Sequence, residues 1–400
     1  MSRSRTILKK TAFDIVILGG GIVGLTAALC CAKKGLNIGL VEKEALNFTE
    51  IDEVDIRCSA ISRASQIIFQ SLGVWDLMPA QRLSAYQRMV VWDGKGFGKI
   101  IFDAAEIAAA NLGHIIENKI LLNALITQVN NHPHIQLFAA QSAKAVAIDE
   151  KTAVLTLEDD TVIQAKCLIG ADGGRSWLRN ALSFEVETKE YQQVAVIANV
   201  QTEKSHENTA WQRFLSEGPL AFLPLFGSNL CSIVWTTSRE KSAELQALSQ
   251  PDFCEILRHA FDGQLGKILS CSPRQSFPLS RLMVKESVRS RVALIGDAAH
   301  VVHPLAGQGV NLGIQDANRL AETLARANIS GIDMGHLQSL RRYARAANHQ
   351  NKAFAWAIDA LNTTFTAQSD WIMGVRSMGL NFIHENPFIK RKLIKVAMGI

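Results

Sequence analysis

Asp14-Ile-Val-Ile-Leu-Gly19-Gly-Gly21-Ile-Val-Gly24 decides how the rest of this 400-residue chain is read. The four apolar residues Ile15 to Leu18 predict a buried strand, and glycines at G-x-G-x-x-G spacing turn it into a helix from Ile22 to about Lys34. Gly19 permits the tight turn, Gly21 lets backbone approach a pyrophosphate, and Gly24 lets helix and strand pack closely. The helix start then offers unpaired N–H groups and a positive dipole end to phosphate oxygens. A second strand, Asn37 to Val41, leads to Glu42, about 20 residues on, where a carboxylate accepts a ribose hydroxyl. Strand, glycines, helix, strand and acid in register predict a dinucleotide site without saying which dinucleotide.

The chain is long for one domain, and 48% of its residues are apolar, enough for a sizeable core. A net charge of +5 is mild, and no stretch interleaves basic and aromatic residues as a nucleic-acid surface does. The charge is uneven. Residues 371–400 hold Arg376, Lys390, Arg391, Lys392 and Lys395 against Glu385, so +4 of the +5 sits there. Seven cysteines without C-x-x-C spacing argue against a metal site or a disulfide framework and predict reduced thiols in a cytoplasmic setting. Met1 to Lys10 lack the apolar core of a signal peptide, and no run of 18 uncharged apolar residues predicts a spanning helix.

After Glu42 an acidic loop, Asn47 to Asp55, leads through Arg57 to a helix from about Ser62 to Leu72. Arg57 has two open readings: it leans on a phosphate, or it pairs with Asp55 or Asp52. Met89–Trp92 and Lys99–Phe102 read as strands around a glycine turn, and Ile115 to about Val129 as a helix. Short strands follow near 135–138, 143–148, 154–157 and 162–169, the last running into Gly170-Ala-Asp172-Gly173. From Tyr191 to Thr237 the chain is β-rich, which predicts a sheet inserted into the dinucleotide fold as a platform over a cavity. A polar linker, Ser238–Gln250, and a helix near Phe253–Phe261 come next. Arg291-Val-Ala-Leu-Ile-Gly296-Asp297 is a further buried strand, followed by Pro304-Leu-Ala-Gly307-Gln-Gly309-Val-Asn311 and a largely helical remainder.

The fold class is therefore α/β: a Rossmann-type dinucleotide-binding domain, an inserted β-sheet substrate domain and a helical C-terminal region. The expected spans are 1–90, 145–185 and 285–330 for the first, 90–110 and 186–284 for the second, and 331–400 for the third. Three strand ends, Gly19–Gly24, Asp172 and Asp297, converge on one crevice, where open α/β sheets bind their ligands. Exposed N–H groups at Gly307-Gln-Gly309 suit negative charge developing on an acceptor ring. His300 and His303 flank the crevice, and for each a packing role outweighs a catalytic one. There is no G-x-S-x-G elbow, no H-E-x-x-H and no second G-x-G-x-x-G.

Glycines 19–24 with Glu42, Gly170-Ala-Asp172-Gly173 and Gly296-Asp297 resemble the three fingerprints of FAD-dependent aromatic monooxygenases of the para-hydroxybenzoate-hydroxylase-like fold. Asp55-Ile-Arg57, Trp211-Gln-Arg-Phe214 with Gly218-Pro-Leu220, and Gly296–Gly313 are similar to the ubiquinone-biosynthesis hydroxylases within that group. The resemblance implies that Gly19, Gly21 and Gly24 hold the FAD pyrophosphate, Glu42 the adenosine ribose, and Arg57 the ribityl–pyrophosphate part. It implies that Asp172 and Gly173 serve FAD and NAD(P)H, that Gly296-Asp297 holds a ribityl-side oxygen, and that Pro304, Gly307, Gly309 and Asn311 line the isoalloxazine ring. The implied reaction is hydroxylation of a polyprenyl-phenol ring in ubiquinone biosynthesis, with NAD(P)H as reductant and molecular oxygen adding to give a C4a-hydroperoxyflavin. The alternatives are a same-fold hydroxylase of a soluble phenol and a non-catalytic flavin-binding scaffold. A prenylated substrate implies peripheral contact with the inner face of a membrane and with other ubiquinone-biosynthesis proteins, the basic, apolar C-terminal stretch being the surface for it.

Overall fold

Apolar side chains on both faces make the N-terminal strand a central one. In the computed structural model, which describes residues 10–303, 309–366 and 370–399, β1 (Lys10–Leu18) buries Ile15, Val16 and Ile17 completely. Helix α1 (Ile22–Ala32) starts at Gly21 as its N-cap, and β2 (Ile38–Glu42) returns parallel to β1. Next come β3 (Cys58–Ser62), α2 (Arg63–Ser71), β4 (Ser84–Tyr86), β5 (Arg88–Asp93), β6 (Lys99–Asp103), β7 (Gly113–Glu117) and α3 (Asn118–Asn130). They are followed by β8 (Ile135–Ala139), β9 (Ala143–Ile148), β10 (Ala153–Leu157), β11 (Val162–Gly170) and α4 (Trp177–Ala181). The chain then forms β12 (Val186–Thr202), β13 (Thr209–Phe214), β14 (Pro219–Pro224), β15 (Leu230–Ser238), α5 (Arg239–Ala247) and α6 (Gln250–Ala260). After β16 (Ile268–Cys271), β17 (Gln275–Val284), β18 (Val288–Arg289), β19 (Val292–Leu294) and β20 (His300–Val301) come α7 (Gly309–Ile329), α8 (Leu337–Thr366), α9 (Asp370–Glu385) and α10 (Pro387–Met398).

One sheet runs β18-β19-β11-β1-β2-β8, with β10 and β9 continuing from β11. Its centre is parallel, which is why β1 is apolar on both faces. Ile15 and Ile17 meet the layer of α1, α3 and α7, while Val16 and Leu18 meet Leu155, Ile163 and Leu178 on the other side. Through β8, residues 135–139 join this sheet beside β2. The second sheet runs β20-β17-β12-β15-β14-β13-β5-β6; its strands β12 to β17 lie in the chain between β11 and β18, while β5 and β6 come from an earlier hairpin and β20 follows β19. Phe222, Ile233 and Trp235 turn one face of it toward α6, where Phe222 and Phe261 stack at 3.9 Å. The opposite face is left for a cavity. A small third sheet, β3-β7-β4, completes the set.

Three local expectations fail. Ile115 and Ile116 lie in β7, between β3 and β4, and the helix begins only at Asn118. Gly113 makes that pairing possible, because a Cβ there would sit 2.6 Å from the Ile61 carbonyl oxygen. The residues before α2 form the strand β3, where a loop is expected. Ser238–Gln250 is no linker: Ser238 accepts the Lys241 N–H at 3.2 Å to cap α5, and Ser249 accepts the Asp252 N–H at 3.3 Å to cap α6.

At the C-terminal end, Leu380 and Ile383 of α9 pack near Met89 and Phe102, and Ile394 and Met398 of α10 pack on Ala104 and Leu112. Lys390 pairs with Glu106 at 2.7 Å. The outer side of α10 carries Phe388, 80% exposed, and Val396, 63% exposed, among exposed Arg391, Lys392 and Lys395. No helix among the described residues is long and apolar enough to cross a membrane. The seven thiols are free; five are buried and Cys58 and Cys271 half-buried. Burial pushes Cys30, Cys167 and Cys231 up to about 12, and raises the other four as well.

Candidate functional site

Between the two large sheets lies a cavity of about 500 Å³. Gly21, Val23, Ala171, Gly173, Asp297 and Gly309 close one end, and the free face of the second sheet walls the other.

The glycine turn divides its labour. Gly19 has φ +108°, and a Cβ there would lie 2.3 Å from the Ala171 carbonyl oxygen; one at Gly24 would lie 1.9 Å from that of Gly19. Both glycines therefore serve close backbone packing. Gly21 differs: no atom lies within 4 Å of its Cβ position, which is open at the cavity. Gly173, with φ +78°, is open in the same way. Glu42 reaches back over the turn, where one carboxylate oxygen accepts the Gly20 N–H and the other the Glu44 N–H at 2.9 Å. A carboxylate has about four acceptor positions, so capacity remains for ribose hydroxyls.

Asp172 accepts the Leu178 N–H at 3.1 Å through Oδ2, while its Oδ1 is buried with no hydrogen-bond partner. Asp297 is open to the cavity; surrounding protein raises its carboxyl pKa and His300 partly opposes that. Gly296, with φ +55°, donates its N–H to Asp316 Oδ2 at 3.3 Å. Arg57 lies exposed at the cavity, and its guanidinium makes no ion pair among the described residues. Asp55 instead accepts the backbone N–H groups of Arg57 at 3.0 Å and Lys119 at 3.1 Å.

Gly309 lines the cavity at the start of α7, but Asn311 does not. Its amide is buried between elements, accepting the Ser62 N–H at 2.9 Å and donating to the Ala60 carbonyl at 2.7 Å. Pro304 and Gly307 lie outside the described residues. Thus Gly21, Arg57, Gly173, Asp297 and Gly309 meet at the cavity, while Gly19, Gly24, Glu42, Asp172, Gly296 and Asn311 stand behind it as backbone or hydrogen-bond support.

Neither histidine lines the cavity. His300 is buried, and burial opposes its charge, but Asp316 Oδ2 at 2.5 Å from Nε2 outweighs this and raises its pKa. Asp316 also accepts from Asn351 Nδ2 at 3.2 Å. His303, with Nε2 3.3 Å from Gln193 Oε1 and its ring edge-on to Tyr191, is pushed down to about 4 by burial.

Two groups of residues receive no role in the sequence reading. Glu117 accepts Arg82 Nε and Nη2, both at 2.8 Å, and the Asp55 N–H at 2.6 Å, which fixes the loop that presents Arg57. Glu117 follows the apolar pair Ile115-Ile116, and Arg82 sits in a mixed stretch, Pro79 to Ser84, that gives it no signal. The second group is the polar set on the cavity face of the inserted sheet, Gln212, Ser232 and Thr236. Here the signal is strand parity: Gln212 shares its face with Ala210 and Phe214.

The residues present suit a flavin dinucleotide. Backbone at Gly21 and Gly173 is open to a close ligand, α1 directs its N-terminus at the cavity, and Asp172 keeps one oxygen without a partner. The protein family described as "FAD binding domain" matches residues 12–350. The chain is similar to 3-demethoxyubiquinol 3-hydroxylase of Escherichia coli (strain K12), at 34% identity over 97% of this chain and 98% of that protein. It is 33% identical to ubiquinone hydroxylase UbiL of Rhodospirillum rubrum, over 96% of this chain and 89% of the relative. It is also 33% identical to the mitochondrial ubiquinone biosynthesis monooxygenase COQ6 of Homo sapiens, over 97% and 92%. Among solved structures, pqsL from Pseudomonas aeruginosa, a probable FAD-dependent monooxygenase, aligns with TM-score 0.78 at 20% identity over 93% of this chain and 100% of that one. The p-nitrophenol 4-monooxygenase PnpA from Pseudomonas putida DLL-E4 aligns with TM-score 0.78 at 17% identity, over 96% and 97%. At these identities the solved structures speak for the fold.

Proposed function

The chain belongs to the FAD-binding-domain family of flavoprotein monooxygenases, in its ubiquinone-hydroxylase branch, and from there we propose that it hydroxylates the aromatic ring of a polyprenyl-phenol intermediate of ubiquinone biosynthesis. The observation that carries this reading is the single cavity that joins an open glycine turn to an apolar sheet wall. Bound FAD supplies the redox and oxygen-activating chemistry, with NAD(P)H and molecular oxygen as co-substrates.

The protein's own residues bind, orient and exclude water. The α1 N-terminus and Gly21 take the pyrophosphate, Glu42 the adenosine ribose, and Arg57 a phosphate or ribityl oxygen. Asp172, Gly173 and Asp297 supply polar contacts beside the flavin, and Pro304, Gly307 and Gly309 border its ring. Ile197, Ala221, Leu223, Val234 and Phe277 give the substrate a wall of aliphatic and aromatic carbon. That wall favours a prenylated phenol over a small soluble one, because burial of each methylene contributes about 0.8 kcal/mol.

The outer face of α10 is proposed to rest on an anionic bilayer, its apolar residues entering the interface and its basic ones meeting lipid phosphates. The function is tested by mass analysis of quinone intermediates in cells lacking the protein. A prenylated phenol accumulating one hydroxylation short of ubiquinone is expected, and a normal quinone profile together with hydroxylation of only soluble phenols by the purified protein would refute the reading.

A further inference from the structure

On the cavity side of the second sheet, strand pairing sets Gln212 opposite Ala221, Ala221 opposite Val234 and Val234 opposite Ile197. All four line the cavity, so the row is aliphatic except at its β13 end. Gln212 is 7% exposed, and its side-chain amide, which has no protein hydrogen-bond partner among the described residues, keeps its accessible surface at the cavity. A ligand that covers this apolar wall takes water from the amide, which is costly unless the ligand itself pairs with it. Ala210 and Ala221 beside it are small and leave it room.

Charge is distributed in a way that sharpens the point. The charged residues that line the cavity, Arg57 and Asp297, belong to the end formed by the glycine turns. No lysine, histidine or carboxylate of the second sheet lines it among the described residues. A phenol lying on the sheet therefore meets neutral partners, and Gln212 is the longest polar one on that face.

We infer that Gln212 is the specificity-determining residue that receives the ring hydroxyl of the substrate: its amide oxygen accepts the phenolic O–H and so fixes which ring carbon faces the flavin. This rests on the hydroxylase reading. An amide binds a neutral phenol without taking its proton, and a site built around such a bond discriminates strongly against a ring that lacks it.

The test uses the purified FAD-loaded protein and a phenol carrying one five-carbon prenyl chain, with the corresponding methyl ether as control. Four quantities are measured: FAD per protein, KM, hydroxylated product per NAD(P)H consumed, and position of the new hydroxyl. Gln212→Leu should keep its FAD, raise KM about tenfold and divert NAD(P)H consumption away from product. Gln212→Glu, which keeps the acceptor oxygen and the shape, should restore at least half the product yield and the same ring position. The methyl ether should bind the wild-type protein about tenfold more weakly than the phenol, and Gln212→Leu should not distinguish the two. A Gln212→Leu protein with wild-type KM, yield and regiochemistry would overturn the assignment. So would a Gln212→Glu protein as impaired as Gln212→Leu. If Gln212→Leu does not load FAD, the wild-type and Gln212→Glu preference for phenol over ether decides, and equal handling of the two overturns it. Absence of any hydroxylation of the prenylated phenol by wild-type protein is a separate result that refutes the hydroxylase reading, and this assignment with it.

Discussion

Gly21 and Gly24 stand three residues apart and differ in what a methyl group would meet. At Gly24 it would strike the Gly19 carbonyl, while at Gly21 it would point into open cavity. Gly24→Ala should therefore lower the melting temperature of the FAD-free protein, whereas Gly21→Ala should leave it within about 1 °C and weaken FAD binding roughly tenfold or more. Flavin titration followed by thermal melts separates the two; equal effects would mean that Gly21 serves packing. At His300 the folded-state pKa is raised, so the stabilisation from its pairing with Asp316 is complete below the unfolded value of about 6.5 and is lost as pH rises through the folded value. Asp316→Asn should consequently destabilise more at pH 6 than at pH 9, read as the melting-temperature difference from wild type; an unchanged difference would count against the pairing. The placement of Gly21, Gly173 and Asp297 at the cavity is legible in sequence because residues that follow an apolar strand in an open α/β sheet are carried to its carboxyl edge. Asn311 is not, because the fate of its amide is decided by Ser62, 249 residues away. Gln212 is half-legible: parity turns it inward, and only the assembled sheet reveals that nothing inside receives it.

At the scale of elements, the parallel core strands are legible because burial on both faces leaves an unbroken apolar run. Ile115-Ile116 misleads because two apolar residues in front of an amphipathic helix extend its pattern, and the β3 and β4 partners that claim them are remote in sequence. Ser238–Gln250 misleads through composition, although both helices there carry serine caps that mark their starts. For α10 the inner face, with Ile394 and Met398, is committed to packing, so deleting the helix would uncover core. Point changes on its outer face are the better probe. Phe388→Glu with Val396→Glu should cut co-sedimentation of the holoprotein with phosphatidylglycerol vesicles several-fold at unchanged FAD content, with wild-type binding falling as salt rises. Undiminished binding would place the membrane contact elsewhere.

For the whole molecule, the cavity walls come from two sheets threaded through each other by a chain that leaves the first after β11 and returns at β18. A ligand between them should stabilise both together. FAD at 100 times its Kd contributes about 2.7 kcal/mol, which is roughly 3 °C for a chain of this length. Calorimetry should show one transition moving upward; two transitions, one insensitive to FAD, would show that the sheets unfold separately. Interlacing of this kind is visible in the sequence as an interruption of βαβ rhythm, while the pairing of β13 with β5, which ties the early hairpin into the platform, is not. The seven thiols bear on how such a protein ages. An oxygen-activating flavoprotein releases hydrogen peroxide whenever reduction runs without a well-placed substrate, and peroxide attacks thiolates rather than thiols. With every cysteine withdrawn from solvent at least in part and held above its ordinary pKa, including Cys58 at the cavity itself, the chain offers such peroxide little to oxidise. Prolonged idle turnover should then leave its thiol count intact, a built-in tolerance to the hazard of its own chemistry.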